Sequence, residues 1–376
     1  MQIPFNKPFL TGKEVKYLQE AVYVYTHISG NGFFTKQCHQ FFENNYGFKK
    51  TLLTTSCTDA LEMSALLMDI QPGDEVIVPS FTFVSTALAY VRQGANIVFA
   101  DSRVDHPGID EDEIESLITN RTKAIVVVHY AGVACDMDKI MGIARQYNLF
   151  VVEDAAQAID SYYKGRPIGG IGHFGTFSFH ETKNLQCGEG GLLIINDEKY
   201  TKRAEIIWEK GTNRAEFFRG EVNKYGWVDV GSSFLPSELN AAFLYAQLEQ
   251  LEAIQQKRKN IWYAYFNALK ILEEKKLVKL PYIPNYAANN AHMFYIVCNN
   301  YEERTALIKY LKEKGIMAVF HYLPLHKSSF YSKLYGKETL TKAEKYSDEI
   351  LRLPFFHDLR PEEVEYITDI IKQFYL

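Results

Sequence analysis

The segment Val151-Val152-Glu153-Asp154-Ala155-Ala156-Gln157 carries an apolar run into two acids. If the run is a buried parallel strand, its carboxyl end faces the ligand side of the sheet, and Asp154 stands there. A carboxylate in that place can hold a proton on the ring nitrogen of a heteroaromatic cofactor, or it can simply cap the next helix. Lys183 lies 29 residues downstream, in Phe177-Ser178-Phe179-His180-Glu181-Thr182-Lys183-Asn184. Small residues surround that turn: Gly169, Gly170, Gly172 and Gly175 precede it and Gly188-Glu189-Gly190-Gly191 follows it. An amine whose pKa is lowered by its surroundings forms an imine with a carbonyl and, once released, shuttles protons. An ordinary solvated lysine is the plainer alternative. A third cluster, Thr54-Thr55-Ser56-Cys57-Thr58-Asp59-Ala60-Leu61, precedes an apolar helical stretch. Its hydroxyls and first-turn N–H groups suit a phosphate, and serve equally as a plain N-cap by Ser56 or Thr58. The glycines of Gly169-Gly170-Ile171-Gly172 follow Lys164-Gly165-Arg166-Pro167 rather than a strand, so they are not a dinucleotide fingerprint.

These groups must be held by a sheet. Val- and Ile-rich runs recur at 75–78, 96–99, 123–128 and 149–152, with helical periodicity between them at Asp59–Met68, Asp110–Ile118 and Met137–Gln146. Strand alternating with helix is the pattern of a parallel sheet covered on both faces. Further strands are expected at 175–179 and 191–195. One long helix is expected from near Ser237 towards Ile271, bridging two lobes. Beyond Pro281 and Pro284 the pattern becomes strand (Met293–Val297), helix (Glu302–Lys314), strand (Met317–Tyr322) and two terminal helices. This divides the chain into a large domain, 1–250, and a smaller C-terminal α/β domain, 251–376.

At 376 residues the chain exceeds a single small core. The net charge of −5, with basic residues dispersed, gives no footprint for nucleic acid or an anionic membrane. The greasiest stretch, Val76–Val91, is interrupted by Pro79, Ser80, Thr82, Ser85 and Thr86, so no membrane span is expected. The N-terminus, with Pro4 and Pro8, does not read as a signal peptide, which favours the cytosol. Five cysteines without a C-x-x-C pair argue against a disulfide framework and a zinc site.

The phosphate-type cluster, Asp154 and Lys183 occur in the order of fold-type I pyridoxal-phosphate enzymes. Through Pro72-Gly73-Asp74-Glu75-Val76, Pro79-Ser80-Phe81-Thr82-Phe83, Val152 to Gln157 and the segment around Lys183, the sequence resembles the DegT/DnrJ/EryC1/StrS family of sugar aminotransferases along essentially its whole length. The resemblance implies the fold-type I α/β architecture, with a mostly parallel seven-stranded sheet in the large domain. It implies pyridoxal 5′-phosphate as cofactor, Lys183 as the Schiff-base lysine, Asp154 on the pyridinium nitrogen and Gln157 near the phenolate side. Phe83 is implied to stack on the ring, and Thr58, the Asp59 backbone N–H and Ser178 to hold the phosphate.

Many family members place an asparagine on the partner subunit's cofactor phosphate; in Gly231-Ser232-Ser233-Phe234-Leu235 the matching residue is Ser233, a shorter donor. His321, Tyr322 and His326, in His321-Tyr322-Leu323-Pro324-Leu325-His326, match a segment that approaches the substrate. Arg219 is either a fork for a nucleotide phosphate or an exposed arginine. L-Glutamate is the implied donor, and a homodimer with the cofactor site at the interface is the implied assembly. The segments Val128 to Cys135, Phe179 to Asn184, Glu209 to Arg214 and Ala318 to Tyr322 narrow the implied acceptor to C4 of dTDP-4-keto-6-deoxyglucose. A C3-keto or GDP-linked sugar, the dehydratase branch with histidine in place of the lysine, and a non-catalytic binding protein are the alternatives.

Overall fold

The structure, a computed structural model, describes residues 2–335 and 339–376. Its strands in chain order are β1 (Lys50–Thr54), β2 (Glu75–Pro79), β3 (Asn96–Ala100), β4 (Thr122–Val128), β5 (Phe150–Asp154), β6 (Tyr162–Tyr163), β7 (Arg166–Pro167), β8 (Phe174–Ser178), β9 (Gly191–Ile195), β10 (Tyr295–Val297), β11 (Val319–Phe320) and β12 (Ile350–Arg352). Seven of them form one sheet in the order β1-β9-β8-β5-β4-β2-β3. β9 alone runs against its neighbours; the pairings β2–β3, β2–β4, β4–β5 and β5–β8 are parallel. Beyond their first residues the central strands β4 and β5 are buried, as Val126, Val127, Val151 and Val152 show, because helices cover both faces.

This topology decides where chemistry can occur. β1, β2, β4, β5 and β8 all point the same way, so Thr54, Pro79, Val128, Asp154 and Ser178 reach a single edge of the sheet. The loops leaving that edge carry Ser56, Phe83, His129, Asp154 and Lys183.

A second core, around Trp262, Tyr265, Phe294, Ile296, Leu351 and Ile371, is built from the helix Leu251–Glu274, the three-stranded sheet β10-β12-β11 and the helices Tyr301–Glu313 and Pro361–Tyr375. We describe this C-terminal unit as the small domain.

Two sequence expectations are corrected. Asp110–Ile118 is not a helix but a 3-10 turn, Ile114–Leu117. The Asp110 carboxylate accepts the Asp112 N–H at 3.1 Å and the Ser116 hydroxyl donates to Glu113 O at 2.7 Å, local bonds that compete with a continuous helix. The long bridging helix is two, Glu238–Leu248 and Leu251–Glu274, separated by Gln250 at φ −112°, ψ 12°. The break lets the first helix enter the large core through Ala241, Leu244 and Leu248 while the second supplies the small core. β1 and β12 were not among the strands expected from the sequence.

Candidate active site

Lys183 is set on a loop pinned at both ends. Phe179 N–H donates to Gly190 O and Cys187 N–H to Phe179 O, at 2.8 and 2.9 Å, closing the loop between β8 and β9. The next residue, Asn184, is buried and fixes the loop to the small domain: its amide donates to Gln255 Oε1 at 2.8 Å and Asn290 O at 2.9 Å, and its oxygen faces His292 Nδ1 at 2.8 Å. Lys183 itself is only partly buried, and among the described residues no carboxylate lies within ion-pair distance of its amine. Burial lowers the amine's pKa; Cys57 and Asp154 pull it back up and Arg352 pushes it down.

Asp154 closes β5 and is buried. Its Oδ2 accepts the Thr86 hydroxyl at 2.7 Å and its Oδ1 the Ala156 N–H at 3.2 Å. Burial raises its pKa even so, against the Thr86 and Ala156 bonds and the charge of Lys183. The carboxylate therefore has hydrogen-bond donors but no bound cation, and a protonated ring nitrogen is the kind of group that would stabilise it. Glu153, on the opposite face of the strand, does a different job. It is fully buried and accepts N–H bonds from Gly169, Ile171 and Gly172 and one from His129 Nε2 at 3.1 Å. Burial favours its neutral form, but His129 and the glycine N–H groups outweigh it and lower the pKa. The Gly169–Gly172 loop thus anchors the strand that presents Asp154.

At the other end of the cleft the helix Cys57–Leu67 begins. Ser56 is its N-cap, accepting the Asp59 N–H at 3.1 Å. The Asp59 N–H expected on a phosphate is thereby already engaged. Among the described residues the N–H groups of Cys57 and Thr58, in the same first turn, have no acceptor, and they are the donors left for an anion. The Thr58 hydroxyl donates to Ser85 Oγ at 2.8 Å, and Ser178 lies across β9 from Thr54, both opposite Gly191. A Cβ on Gly191 would stand 2.3 Å from the Ser56 carbonyl carbon, so only glycine lets this turn approach the sheet.

Between the two ends lies an aromatic wall. Phe83 is 57% exposed, with its ring 6.2 Å from that of Tyr322. Gln157 accepts the Ala131 N–H at 2.6 Å and donates to the Tyr322 hydroxyl at 3.2 Å. The His321 ring lies against Tyr322, centroids 3.5 Å apart and planes tilted by 31°, and meets the Tyr130 hydroxyl at 2.8 Å; burial, with Arg352 and Lys183 nearby, holds its pKa well below the usual histidine range.

The structure therefore gathers Lys183, Asp154, Gln157, Phe83, Thr58, Ser178, His321 and Tyr322 around the loops at one sheet edge, and leaves His326 and Arg219 apart. His326 is buried, with Nδ1 2.6 Å from Ser80 Oγ and Nε2 3.1 Å from Glu344, a brace between the domains. The Arg219 guanidinium is occupied by Glu205 and Glu221 at 2.7 and 2.6 Å. Ser233 is exposed on the segment whose next residue, Phe234, accepts the Thr55 N–H. Sequence reading missed Thr86 and Asn184. Both are polar residues beside singled-out ones, Phe83 and Lys183, but nothing in their spacing foretells a partner 68 or 106 residues away. A separate cavity of about 400 Å³, lined by Arg103, Tyr282, Tyr295, Lys342, Tyr346 and Glu349 among others, includes neither Lys183 nor Asp154.

The donor set fits pyridoxal phosphate: an unpaired amine, a buried carboxylate without a counter-ion, free helix N–H groups and an exposed ring face. The sequence profile of the DegT/DnrJ/EryC1/StrS aminotransferase family matches residues 10–372. The chain belongs to this family. DegT/DnrJ/EryC1/StrS members are pyridoxal-phosphate-dependent aminotransferases of nucleotide sugars. The chain is 34% identical to the GDP-perosamine synthase of Escherichia coli O157:H7, over 99% of this chain and 98% of that one. It is 32% identical to the spore coat polysaccharide biosynthesis protein SpsC of Bacillus subtilis, over 98% and 97%. Among solved structures, the PMP-form of Spr1654 from Streptococcus pneumoniae superposes with a TM-score of 0.92 at 27% identity, covering 99% of each chain. The DegT/DnrJ/EryC1/StrS fold, type I of the pyridoxal-phosphate enzymes, is thus the fold of this chain. Among the described residues no helix is long and apolar enough to cross a membrane.

Proposed function

We propose that the protein transfers the amino group of L-glutamate to C4 of dTDP-4-keto-6-deoxyglucose, giving dTDP-4-amino-4,6-dideoxygalactose. The reading rests on one observation above the others: a partly buried, unpaired Lys183 amine within electrostatic reach of the buried Asp154 carboxylate, at the ligand edge of the sheet. Pyridoxal phosphate, when bound, supplies an aldehyde that takes up an amino group and a protonated ring that accepts the electron pair left by a departing C–H proton.

The protein does the rest. Asp154 would keep the proton on the ring nitrogen, and Thr86 holds Asp154 in place through its hydroxyl. Lys183 would remove a proton from the amino-bearing carbon of the donor and later deliver one to the carbon that was the ketone; burial lowers its pKa, the direction that a base requires. Phe83 would pack on one ring face, Gln157 and Tyr322 would bound the phenolate side, and the N–H groups of Cys57 and Thr58, with the hydroxyls of Thr58 and Ser178, would hold the phosphate.

The dTDP and C4 assignments are supported by the segments Val128 to Cys135 and Phe179 to Asn184. A GDP-linked acceptor is the second reading, favoured by the 34% identity to a GDP-perosamine synthase. Incubation with L-glutamate and a panel of dTDP- and GDP-linked C3- and C4-keto sugars, read as 2-oxoglutarate release, separates them. Turnover only with a GDP sugar or a C3 ketone overturns the first reading.

A homodimer completes the proposal. Exposed apolar side chains at Tyr23, Val24, Ile28, Phe218, Val228 and Trp227, the last 84% exposed, lie on two segments joined by Asn31 and Glu209 at 3.4 Å. Burial of such exposed apolar side chains favours association. Sedimentation as a monomer at micromolar concentration would count against it.

A further inference from the structure

Asn290 lies in the segment that joins the helix Leu251–Glu274 to β10, and it is completely buried. Both atoms of its side-chain amide are engaged. The nitrogen donates to Gln157 O at 2.8 Å and to Ile159 O at 2.9 Å, and the oxygen accepts the His292 N–H at 3.1 Å. The backbone carbonyl of Asn290 accepts the Asn184 amide at 2.9 Å and the Gln255 amide at 3.2 Å. One residue of the small domain is thus bonded through its side chain to the turn that carries Gln157, and through its backbone to the loop that carries Lys183.

The same amide also bounds the other end of Gln157. Gln157 Oε1 accepts the Ala131 N–H at 2.6 Å, and Gly132, the next residue, stands at φ 80°. A Cβ on Gly132 would lie 1.8 Å from Asn290 Oδ1, so this turn rests directly against the Asn290 amide and only glycine fits there. The segment around Asn290 is itself fixed. Buried Arg258 donates to Ala291 O at 3.0 Å and to His292 O at 2.7 Å, and the Ser161 hydroxyl bridges Gly132 O and Ala288 O. With its carbonyl and its side-chain oxygen both held, Gln157 is left with its amide nitrogen, which donates to the Tyr322 hydroxyl at 3.2 Å.

We propose that Asn290 is a positioning residue for the phenolate side of the cofactor: it sets where Gln157 presents its amide nitrogen relative to the Lys183 amine. This rests on the functional reading above. A hydrogen bond donated to a phenolate stabilises its charge, so the proton that this oxygen shares with the nitrogen of the attached lysine is released at lower pH. Without the Asn290 side chain Gln157 moves out of place and that release moves to higher pH. The bond from Asn184 to the Asn290 carbonyl does not depend on the side chain, so a substitution at Asn290 acts on the Gln157 side.

The visible absorbance of cofactor-loaded enzyme, titrated with pH, reads that proton without any turnover. Asn290→Ala raises the midpoint by about one pH unit, the effect of losing one hydrogen bond to a charged oxygen, and adds nothing to the midpoint of Gln157→Ala. Asn290→Asp, which keeps an acceptor for the His292 N–H and loses the two donated bonds, carries the test should the alanine variant fail to load cofactor. A lower melting temperature with an unmoved midpoint makes Asn290 a packing residue and overturns the proposal, as does failure of both variants to fold. A full shift on top of Gln157→Ala shows an action that bypasses Gln157 and overturns it too. A Gln157→Ala enzyme that titrates like the wild type removes the role of Gln157 and the proposal together; consumption of L-glutamate by the wild type then shows that the wider functional reading survives.

Discussion

The Thr86 hydroxyl donates to the Asp154 carboxylate at 2.7 Å, while its own oxygen lies 2.9 Å from the hydroxyl of Thr82. This short relay, from the loop after β2 to the end of β5, is the principal support for the carboxylate in the cleft. A hydrogen bond to the charged form of an acid lowers its pKa, and burial here works against it. Thr86→Val removes the donor with little change in volume. Asp154 then rises further, and the acid limb of the pH–rate profile for the glutamate half-reaction moves to higher pH. An unmoved acid limb would separate Thr86 from the ionisation of Asp154.

Asn184 joins the lysine loop to the small domain through Gln255, Asn290 and His292. Asn184→Leu leaves those buried groups unmatched, at a cost of about 2–4 kcal/mol, and loosens the loop that presents Lys183. The expected results are a lower melting temperature and a kcat loss larger than any change in KM for glutamate. Unchanged stability would mean the three bonds are dispensable.

Gly191 permits the Ser56–Thr58 turn to lie against β9. A methyl group there must displace that turn, so Gly191→Ala weakens cofactor retention by at least about tenfold while the far side of the sheet stays folded. Equilibrium dialysis of pyridoxal phosphate measures it. Wild-type affinity in this variant would show that the helix terminus does not hold the phosphate.

Several histidines are buried in the neutral state. Burial brings His39 down to about 3 and His106 to about 4, and holds His292 and His321 well below the usual range. His39 accepts the Leu53 N–H at 2.8 Å and His106 the Gly108 N–H, roles that only a neutral ring can fill. Their folded pKa values lie below the unfolded value near ~6.5, so below that pH the unfolded chain binds protons that the native one does not. Their contribution is complete above pH ~6.5 and is lost as pH falls towards 4 and below. The melting temperature therefore drops between pH 7.5 and 5; a flat profile across that window would contradict this account.

Much of this was legible in the residues themselves. The runs that became β2, β3, β4, β5, β8 and β9 are long enough and apolar enough to declare buried strands, and Asp154 and Lys183 stand at or just beyond the ends of two adjacent ones. The relays that tune the site were not legible, because Thr86–Asp154 and Asn184–Asn290 join residues brought together only by tertiary packing. Asp110–Ile118 misled for a related reason: its period is helical, but Asp110 and Ser116 bond to their own backbone instead. His326 shows the converse. A histidine beside a cleft motif looked like a substrate ligand, yet Ser80 and Glu344 use both of its ring nitrogens.

The central claim is that the Lys183 amine carries the cofactor and moves the proton. Borohydride reduction of the pyridoxal-phosphate-loaded enzyme, followed by peptide mass spectrometry, tests it most directly, with Lys183→Ala as the paired sample. The account predicts a pyridoxyl mass on the peptide holding Lys183, none in the alanine variant, and a turnover loss in that variant of at least about 10³-fold. Label on a different lysine, or full turnover by Lys183→Ala, would contradict it.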